Sequence, residues 1–202
     1  MNKVLGHLKT VMTHRHYVKK FCFKCGLYKQ GIFHDLSKYS PTEFLGSIKY
    51  FTGNRSPIDN EKDVKGYSLA WFHHKGRNPH HWEHWIDNVG TYENKPARIP
   101  YKYVVEMICD WLAAGITYSK EKPDYNAPYD VPYNYYLKHT KVRIFHPETK
   151  ELIELFLGTI SSQGINAFCK GVKSNKWDFI IKYKEGEIKW NIKYYLHMDQ
   201  LK

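Results

Sequence analysis

Apolar residues recur every three or four positions in the first part of the chain, which is the spacing of one face of an α-helix. Val4, Leu8 and Val11 follow this spacing and predict a helix over residues 1–30. A shorter helical piece is expected to follow and to carry His34–Asp35.

Proline and capping residues mark where the next helices begin. Ser40 can cap a helix, Pro41 suits its first turn, and Glu43 lies three residues after the cap. This helix is expected to stop at Gly53, and residues 53–66 are predicted to form a loop. Four further helices are predicted: Tyr67–Lys75, a helix from the cap Asn78–Pro79 through Trp85, Tyr101–Tyr118 and Pro147–Gln163.

The pattern changes near the C-terminus. Apolar and polar residues alternate over Ile188–Tyr194, Trp177–Tyr183 offers a second run, and the segment Lys184–Glu187 between them is typical of a hairpin turn. The sequence therefore predicts a mainly α protein with a small C-terminal β-hairpin. The predicted domains are a helical domain over residues 1–165 and an appendage over 166–202.

Composition adds a strong positive charge. The formal net charge is +11, which favours nucleic acid, a nucleotide or an acidic protein as a partner. No apolar run is long enough to span a bilayer, and the N-terminus lacks the pattern of a secretory signal. We therefore expect a cytoplasmic protein with no membrane partner. Cys22 and Cys25 have the spacing of half a zinc site, but no second pair completes it, and buried core positions are favoured.

Histidines concentrate in one stretch and follow a His-Asp pair. His34–Asp35 comes first, then His73, His74, His80 and His81 within residues 71–85, and Asp110 lies further on. Divalent metals bind imidazoles and carboxylates that come from separate rigid elements. The order of these residues therefore indicates a metal centre.

The order His…His-Asp…His…His…Asp resembles the HD superfamily of metal-dependent helical proteins. The strings His34–Phe44 and Gly66–Trp82 are also similar to an uncharacterised family of phage and bacterial proteins, domain of unknown function 5662. This second resemblance covers about residues 10–160. It implies an HD-domain-like helical bundle in a bacterial cell or a phage-infected host.

The resemblance to the HD superfamily also implies a set of metal ligands. Two of the assignments compete with alternatives: His14 is preferred to His16 because it shares a helix face with Val11 and Val18, and Asp110 equally fits a solvated face of its helix together with Glu106. Mn, Mg, Co, Fe, Ni and Zn all fit, as one ion or as a binuclear pair. The implied ligands are His14, His34, Asp35 and Asp110, with His73 and His74 for a second ion; His80 and His81 stay unassigned.

Basic residues near these ligands suggest a phosphorylated substrate. Lys38 follows His34 by four residues, and Lys75 and Arg77 follow the histidine pair, so all three could hold a phosphate. Asp35 could orient the attacking water or accept its proton, while Glu43 is first a capping residue and second a support for a ligand.

The leading hypothesis is a metal-dependent phosphohydrolase acting on a nucleotide or another small phosphorylated molecule with a metal-activated water. The first alternative is an HD-type di-iron oxygenase. The second is a non-catalytic phage protein that binds a nucleotide or nucleic acid by stacking aromatic side chains of the hairpin on bases. The aromatic residues concerned are Trp177, Phe179, Trp190 and Tyr194, and packing of one hairpin face onto the helical domain is the favoured interpretation of them.

Overall fold

A computed structural model describes residues 2–88, 94–119, 122–175 and 177–186. Short 3₁₀ helices occur at Leu36–Tyr39 and Trp82–Trp85, and strands β1 (Ile86–Asn88) and β2 (Asn94–Pro96) pair antiparallel. The α-helices are α1 (Lys3–Lys24), α2 (Tyr28–Phe33), α3 (Pro41–Tyr50), α4 (Pro57–Lys65), α5 (Leu69–Arg77), α6 (Tyr101–Ser119), α7 (Val131–Lys138), α8 (Pro147–Gln163), α9 (Ile165–Ser174) and α10 (residues 178–186).

Side-chain caps explain where several helices start. The Asn2 side chain accepts a hydrogen bond from the backbone N–H of Val4, and the Ser68 hydroxyl accepts one from the N–H of Trp71. The Ser40 hydroxyl accepts the backbone N–H of Glu43, as the sequence predicted for α3. These bonds satisfy N–H groups that have no partner inside the helix.

Helix α6 lies at the centre of the molecule and packs against α1, α7 and α8. Val104, Ile108 and Leu112 on α6 have no exposed surface, and they share one apolar core with Phe21 of α1 and Phe156 of α8. Burial of such side chains contributes most of the stability of a domain. The same helix carries a polar stripe that is also buried, and this stripe positions the site.

The predicted fold class is confirmed, because the structure is mainly helical with one small antiparallel sheet. The sequence predicts the hairpin near the C-terminus, whereas the strands that the structure describes are β1 and β2. The first predicted strand of this hairpin, Trp177–Tyr183, is wrong, since residues 178–186 are helical. Trp177, Ile180 and Tyr183 are spaced by three, so the same residues also form one helix face, and Ile180 and Tyr183 are buried. The second predicted strand, Ile188–Tyr194, lies outside the described residues.

The loop predicted at residues 53–66 is also wrong, because α4 occupies Pro57–Lys65. Pro57 suits the first turn of this helix, and Gly66 ends it with a left-handed φ of 80°, a conformation that glycine adopts without steric cost. Both signals are present in the sequence. They are the same kind of signals that marked α3.

Cys22 and Cys25 are free and buried, as their helical spacing indicated. Phe168 of α9 and Ile180 of α10 contribute to the same core as α6 and α8, while the predicted division into two domains stays a prediction. Among the described helices, none is long and apolar enough to cross a membrane.

Candidate metal centre

Asp35 lies in a sharp backbone turn between two helical pieces. Helix α2 ends at Phe33, Asp35 adopts a left-handed φ of 54°, and a 3₁₀ helix starts at Leu36. His34–Asp35 therefore lies in a connection and not on the helix that the sequence predicted. Arg15 of α1 stabilises this connection, because its Nε donates to the carbonyl of His34 at 2.9 Å. Aspartate tolerates the left-handed region better than most residues, and such conformations concentrate at functional sites.

Four buried side chains meet around one oxygen of Asp35, and we call them the Asp110 quartet: His14, His34, Asp35 and Asp110. The His14 Nε2 atom lies 2.9 Å from Asp110 Oδ1, and the His34 Nε2 atom lies 3.3 Å from Asp35 Oδ2. Ligands at about 2.0–2.2 Å from one ion are about 3.0–3.5 Å apart when they meet at 90–110°. The spacing in the quartet fits a single bound cation.

A second group meets the other oxygen of Asp35, and we call it the His74 quartet: Asp35, His74, His80 and His81. The Nε2 atoms of His74 and His80 lie 3.3 and 3.4 Å from Asp35 Oδ1. Asp35 thus turns one oxygen toward each quartet. Two cations that share this carboxylate are consistent with the arrangement.

Several of the atoms that face these two positions have no hydrogen-bond partner among the described residues. They are buried from solvent, and a buried polar atom without a partner costs about 1–3 kcal/mol. The atoms without a partner are Nε2 of His80 and His81 and Oδ1 of Asp35, and a cation in the His74 quartet would satisfy them together. In the Asp110 quartet, Asp35 Oδ2 pairs with the Lys38 ammonium, and Nε2 of His14 and of His34 face Asp110 Oδ1 at 2.9 and 3.5 Å.

Two further carboxylates hold the opposite sides of the imidazole rings. The Nδ1 atoms of His34 and His80 lie 2.9 and 3.2 Å from Oε1 of Glu106. The Nδ1 atom of His74 lies 2.7 Å from Oε2 of Glu43. An N–H donated from Nδ1 leaves the Nε2 lone pair free for a cation, which is the common role of a carboxylate behind a metal-binding histidine.

The carboxylates of the centre are ionised. Burial alone would raise the pKa of Asp35, but the charges of His34 and Lys38 outweigh it and hold that pKa well below its usual range. Burial likewise opposes ionisation of Asp110, and hydrogen bonds with His14 and His34 hold its pKa well below the usual range. The centre therefore offers negative charge to a cation.

The imidazoles divide into two classes. Burial lowers the pKa values of His14 and of His81, which favours neutral rings that can bind a metal. Burial would also lower the pKa of His34, but the charge of Asp35 outweighs it and raises that pKa well above the usual value.

Lys38 places an ammonium group at the edge of the Asp110 quartet. Its Nζ atom lies 2.7 Å from Asp35 Oδ2, and 25% of its side chain is exposed. Burial opposes the charge, but Asp35 and Asp110 outweigh it and raise the pKa of Lys38 above its usual value. The 3₁₀ turn after Asp35, and not a continued α-helix, brings this lysine to the centre.

Three predicted site residues lie elsewhere. His73 belongs to neither quartet, and its Nδ1 atom lies 2.6 Å from Glu43 Oε1. The ammonium of Lys75 lies over the ring of the exposed Phe72 at 5.0 Å, and Arg77 is exposed at the end of α5. The structure therefore does not bring His73, Lys75 or Arg77 into contact with the centre.

Sequence reasoning missed one carboxylate and left two histidines unassigned. Glu106 was seen on the same face of α6 as Asp110, four residues earlier, and this face was weighed as solvated. Both residues are buried, at 5% and 9% exposure, so the solvated face is excluded. His80 and His81 join the His74 quartet. The preferred assignment of His14 over His16 agrees with their burial, since His14 is buried and His16 is exposed.

Comparisons with known proteins give one match. A family model described as a family of unknown function (DUF5662) matches residues 3–159, a range that includes every residue of both quartets. No curated protein and no solved structure matches the chain.

Proposed function

The chain belongs to this family of unknown function, and we propose that it is an HD-type, metal-dependent phosphohydrolase of a nucleotide or another small phosphorylated molecule. One observation carries the proposal: the buried carboxylate of Asp35 is shared by two quartets of potential metal ligands. The order of these ligands along the chain resembles that of HD proteins, which supports the proposal. Two cations about one carboxylate suit the displacement of a phosphate ester by water.

When bound, the cations would polarise the phosphoryl group and lower the pKa of a water molecule. The side chains of the quartets would hold them: five imidazoles and two carboxylates, with Glu106 and Glu43 behind the rings. Such a set of nitrogen and oxygen ligands fits Mn, Fe, Co, Ni and Zn.

Lys38 supplies the positive charge next to the reacting group. Its ammonium contacts Asp35 and is partly exposed, so it can turn to a phosphate oxygen without leaving the centre. A fixed cation at this place offsets the charge that develops on the phosphate in the transition state. The chain's net charge of +11 would assist capture of an anionic substrate, an effect that salt weakens.

The same ligands also suit a di-iron oxygenase, because five of the seven quartet residues are histidines and imidazole is a good ligand for iron. Iron content and colour after purification separate this candidate from a hydrolase. The binding-protein alternative loses part of its basis, because Trp177 and Phe179 pack against the core and Tyr183 is buried. Trp190 and Tyr194 lie outside the described residues.

The test is turnover of a panel of nucleotides, cyclic nucleotides and small phosphate esters with Mn²⁺ or Co²⁺ added. Asp35→Asn is the key variant, because asparagine tolerates the left-handed backbone but removes the shared negative charge. We expect turnover by the wild type and a loss of about 10³-fold or more in Asp35→Asn.

His16→Ala is the matched control, since His16 is an exposed histidine on the same helix as His14, and it should leave turnover unchanged. A wild type that hydrolyses no phosphate ester in the presence of metal, or an Asp35→Asn variant with full activity, contradicts the proposal.

A further inference from the structure

Glu106 lies between the two quartets and contacts one histidine of each. It is buried on α6, one helical turn before Asp110. We propose that Glu106 is a positioning residue that couples the loading of the two metal sites. This inference rests on the proposed function, and it concerns how the chain assembles the centre.

The geometry around Glu106 is shared between two rings. Its Oε1 atom lies 2.9 Å from Nδ1 of His34 and 3.2 Å from Nδ1 of His80. The rings of His34 and His80 lie side by side, with centroids 4.3 Å apart and planes tilted by 34°. On their far sides, the Nε2 atoms lie 3.3 Å from Asp35 Oδ2 and 3.4 Å from Asp35 Oδ1, respectively.

One oxygen atom therefore determines the orientation of a ligand in each quartet. A neutral imidazole carries one N–H, and a carboxylate that accepts it from Nδ1 leaves Nε2 as the metal-binding atom. Both rings donate from Nδ1 to the same oxygen of Glu106. A rotation of one ring that carries this oxygen with it therefore moves the oxygen away from the Nδ1 atom of the other ring. A cation in one quartet fixes its ring and Glu106, and the ring of the second quartet is then already oriented. The second cation should bind more tightly for this reason.

Glu43 provides a natural comparison, because it performs the same task for one quartet only. Its Oε2 atom lies 2.7 Å from Nδ1 of His74, and its Oε1 atom lies 2.6 Å from Nδ1 of His73, which belongs to neither quartet. Glu43 is as buried as Glu106. The two glutamates thus differ in how many metal sites they support.

The experiment is calorimetric titration of the metal-free full chain with Mn²⁺ or Co²⁺, for the wild type, Glu106→Gln and Glu43→Gln. Loss of a carboxylate behind a metal-binding histidine typically costs 10–100-fold in affinity, so we expect about that loss at both sites in Glu106→Gln and at one site in Glu43→Gln. The Co²⁺ absorption spectrum should change for both bound ions in Glu106→Gln and for one bound ion in Glu43→Gln.

Glu106→Asp separates position from charge, because it keeps the carboxylate and withdraws it by one methylene group. We expect both sites to weaken in this variant also, and circular dichroism checks that each variant is folded. If Glu106→Asp binds both ions as the wild type does, charge alone matters and the proposal is overturned. Glu106→Asp also keeps the test open if Glu106→Gln does not fold.

Other outcomes are equally decisive. Glu106→Gln with either site unchanged overturns the inference while the proposed function stands. A third ion in the wild type that is absent from Glu106→Gln would make Glu106 a direct ligand, which also overturns it. A wild type that binds no metal overturns the proposed function and this inference together.

Discussion

At the scale of single residues, the centre is organised by Asp35. Its left-handed backbone turns the carboxylate so that each oxygen faces a different set of imidazoles, at 3.3–3.4 Å from the Nε2 atoms of His34, His74 and His80. The sequence predicts that Asp35 is a metal ligand, but it does not predict that Asp35 serves two groups of ligands. The division of its two oxygens between two quartets depends on tertiary contacts with α5 and the segment after it.

Lys38 should act on the substrate and not on the metal. We expect Lys38→Met to lower kcat/KM for a phosphate ester by about 10²–10³-fold, the usual cost of removing one group that stabilises transition-state charge. The metal content should stay that of the wild type, because the ammonium contacts Asp35 but donates nothing to a cation. Elemental analysis with steady-state kinetics checks both points. Loss of metal in this variant would contradict the assigned role.

Metal affinity should fall as the pH is lowered. The pKa of His34 is raised in the metal-free protein because Asp35 outweighs the effect of burial, so below that raised pKa a cation must displace the proton. For one displaced proton the affinity falls about tenfold per pH unit, and above the raised pKa it levels off. Titrations in buffers of different ionisation enthalpy measure the protons released. Affinity that is independent of pH, with no proton release, contradicts this prediction.

At the scale of elements, the sequence predicted helices well where caps and prolines mark their ends. The start of α3 at Ser40–Pro41 and the span of α8 from Pro147 to Gln163 agree with the structure. Helix α4 was missed although Ser56–Pro57 gives the same signal, because its polar composition suggested a loop. The strand predicted over Trp177–Tyr183 failed because the apolar residues of this short stretch, which also contains Asp178 and Lys182, fit both the helical and the strand period.

The site was predictable as far as residue types and order allow. His14 and Asp110 are far apart in the sequence. The ligand order of the HD superfamily nevertheless predicted that both bind the same metal ion as His34. The burial of Glu106 was not predictable from the sequence of α6 alone, since a polar helix face is either exposed to solvent or buried against other helices. The packing of α6 against α1 and against the turn at His34 determines that this face is buried.

Gly164 ends α8 in a conformation that other residues avoid. Its φ is +88°, and a Cβ atom there would lie 2.6 Å from the carbonyl oxygen of Ala127 and 2.8 Å from that of Tyr125. Gly164→Ala should cost about 1–3 kcal/mol of unfolding free energy, seen as a Tm lower by about 2–4 °C per kcal/mol. Metal binding should be unchanged, because Gly164 is remote from the quartets in the fold. An unaltered Tm would contradict the account of this helix end.

At the scale of the whole molecule, the centre joins segments that are far apart in the chain. Its ligands come from α1, the turn after α2, α5, the segment that follows α5, and α6. The family match ends within α8 at residue 159, so the matched region contains the complete centre. Helices α9 and α10 add apolar side chains to the core but contribute no residue to either quartet.

A cation that joins these segments should stabilise the native state as a whole. A ligand present at 100 times its Kd adds about 2.7 kcal/mol to the unfolding free energy, which for a chain of this length raises Tm by roughly 5–10 °C. We expect this rise when Mn²⁺ or Co²⁺ is added to the metal-free protein and its reversal by a chelator. Asp35→Asn should show little response. A wild-type Tm that is insensitive to metal contradicts a centre that spans the fold.

The most direct test of the central claim is a crystal structure of the metal-loaded protein with anomalous diffraction at the absorption edge of the metal. We expect two anomalous peaks per chain, one in each quartet. Asp35 Oδ2 should bind the ion held by His14, His34 and Asp110, and Asp35 Oδ1 should bind the ion held by His74, His80 and His81. No peak in this region, or metal that does not contact Asp35, would contradict it.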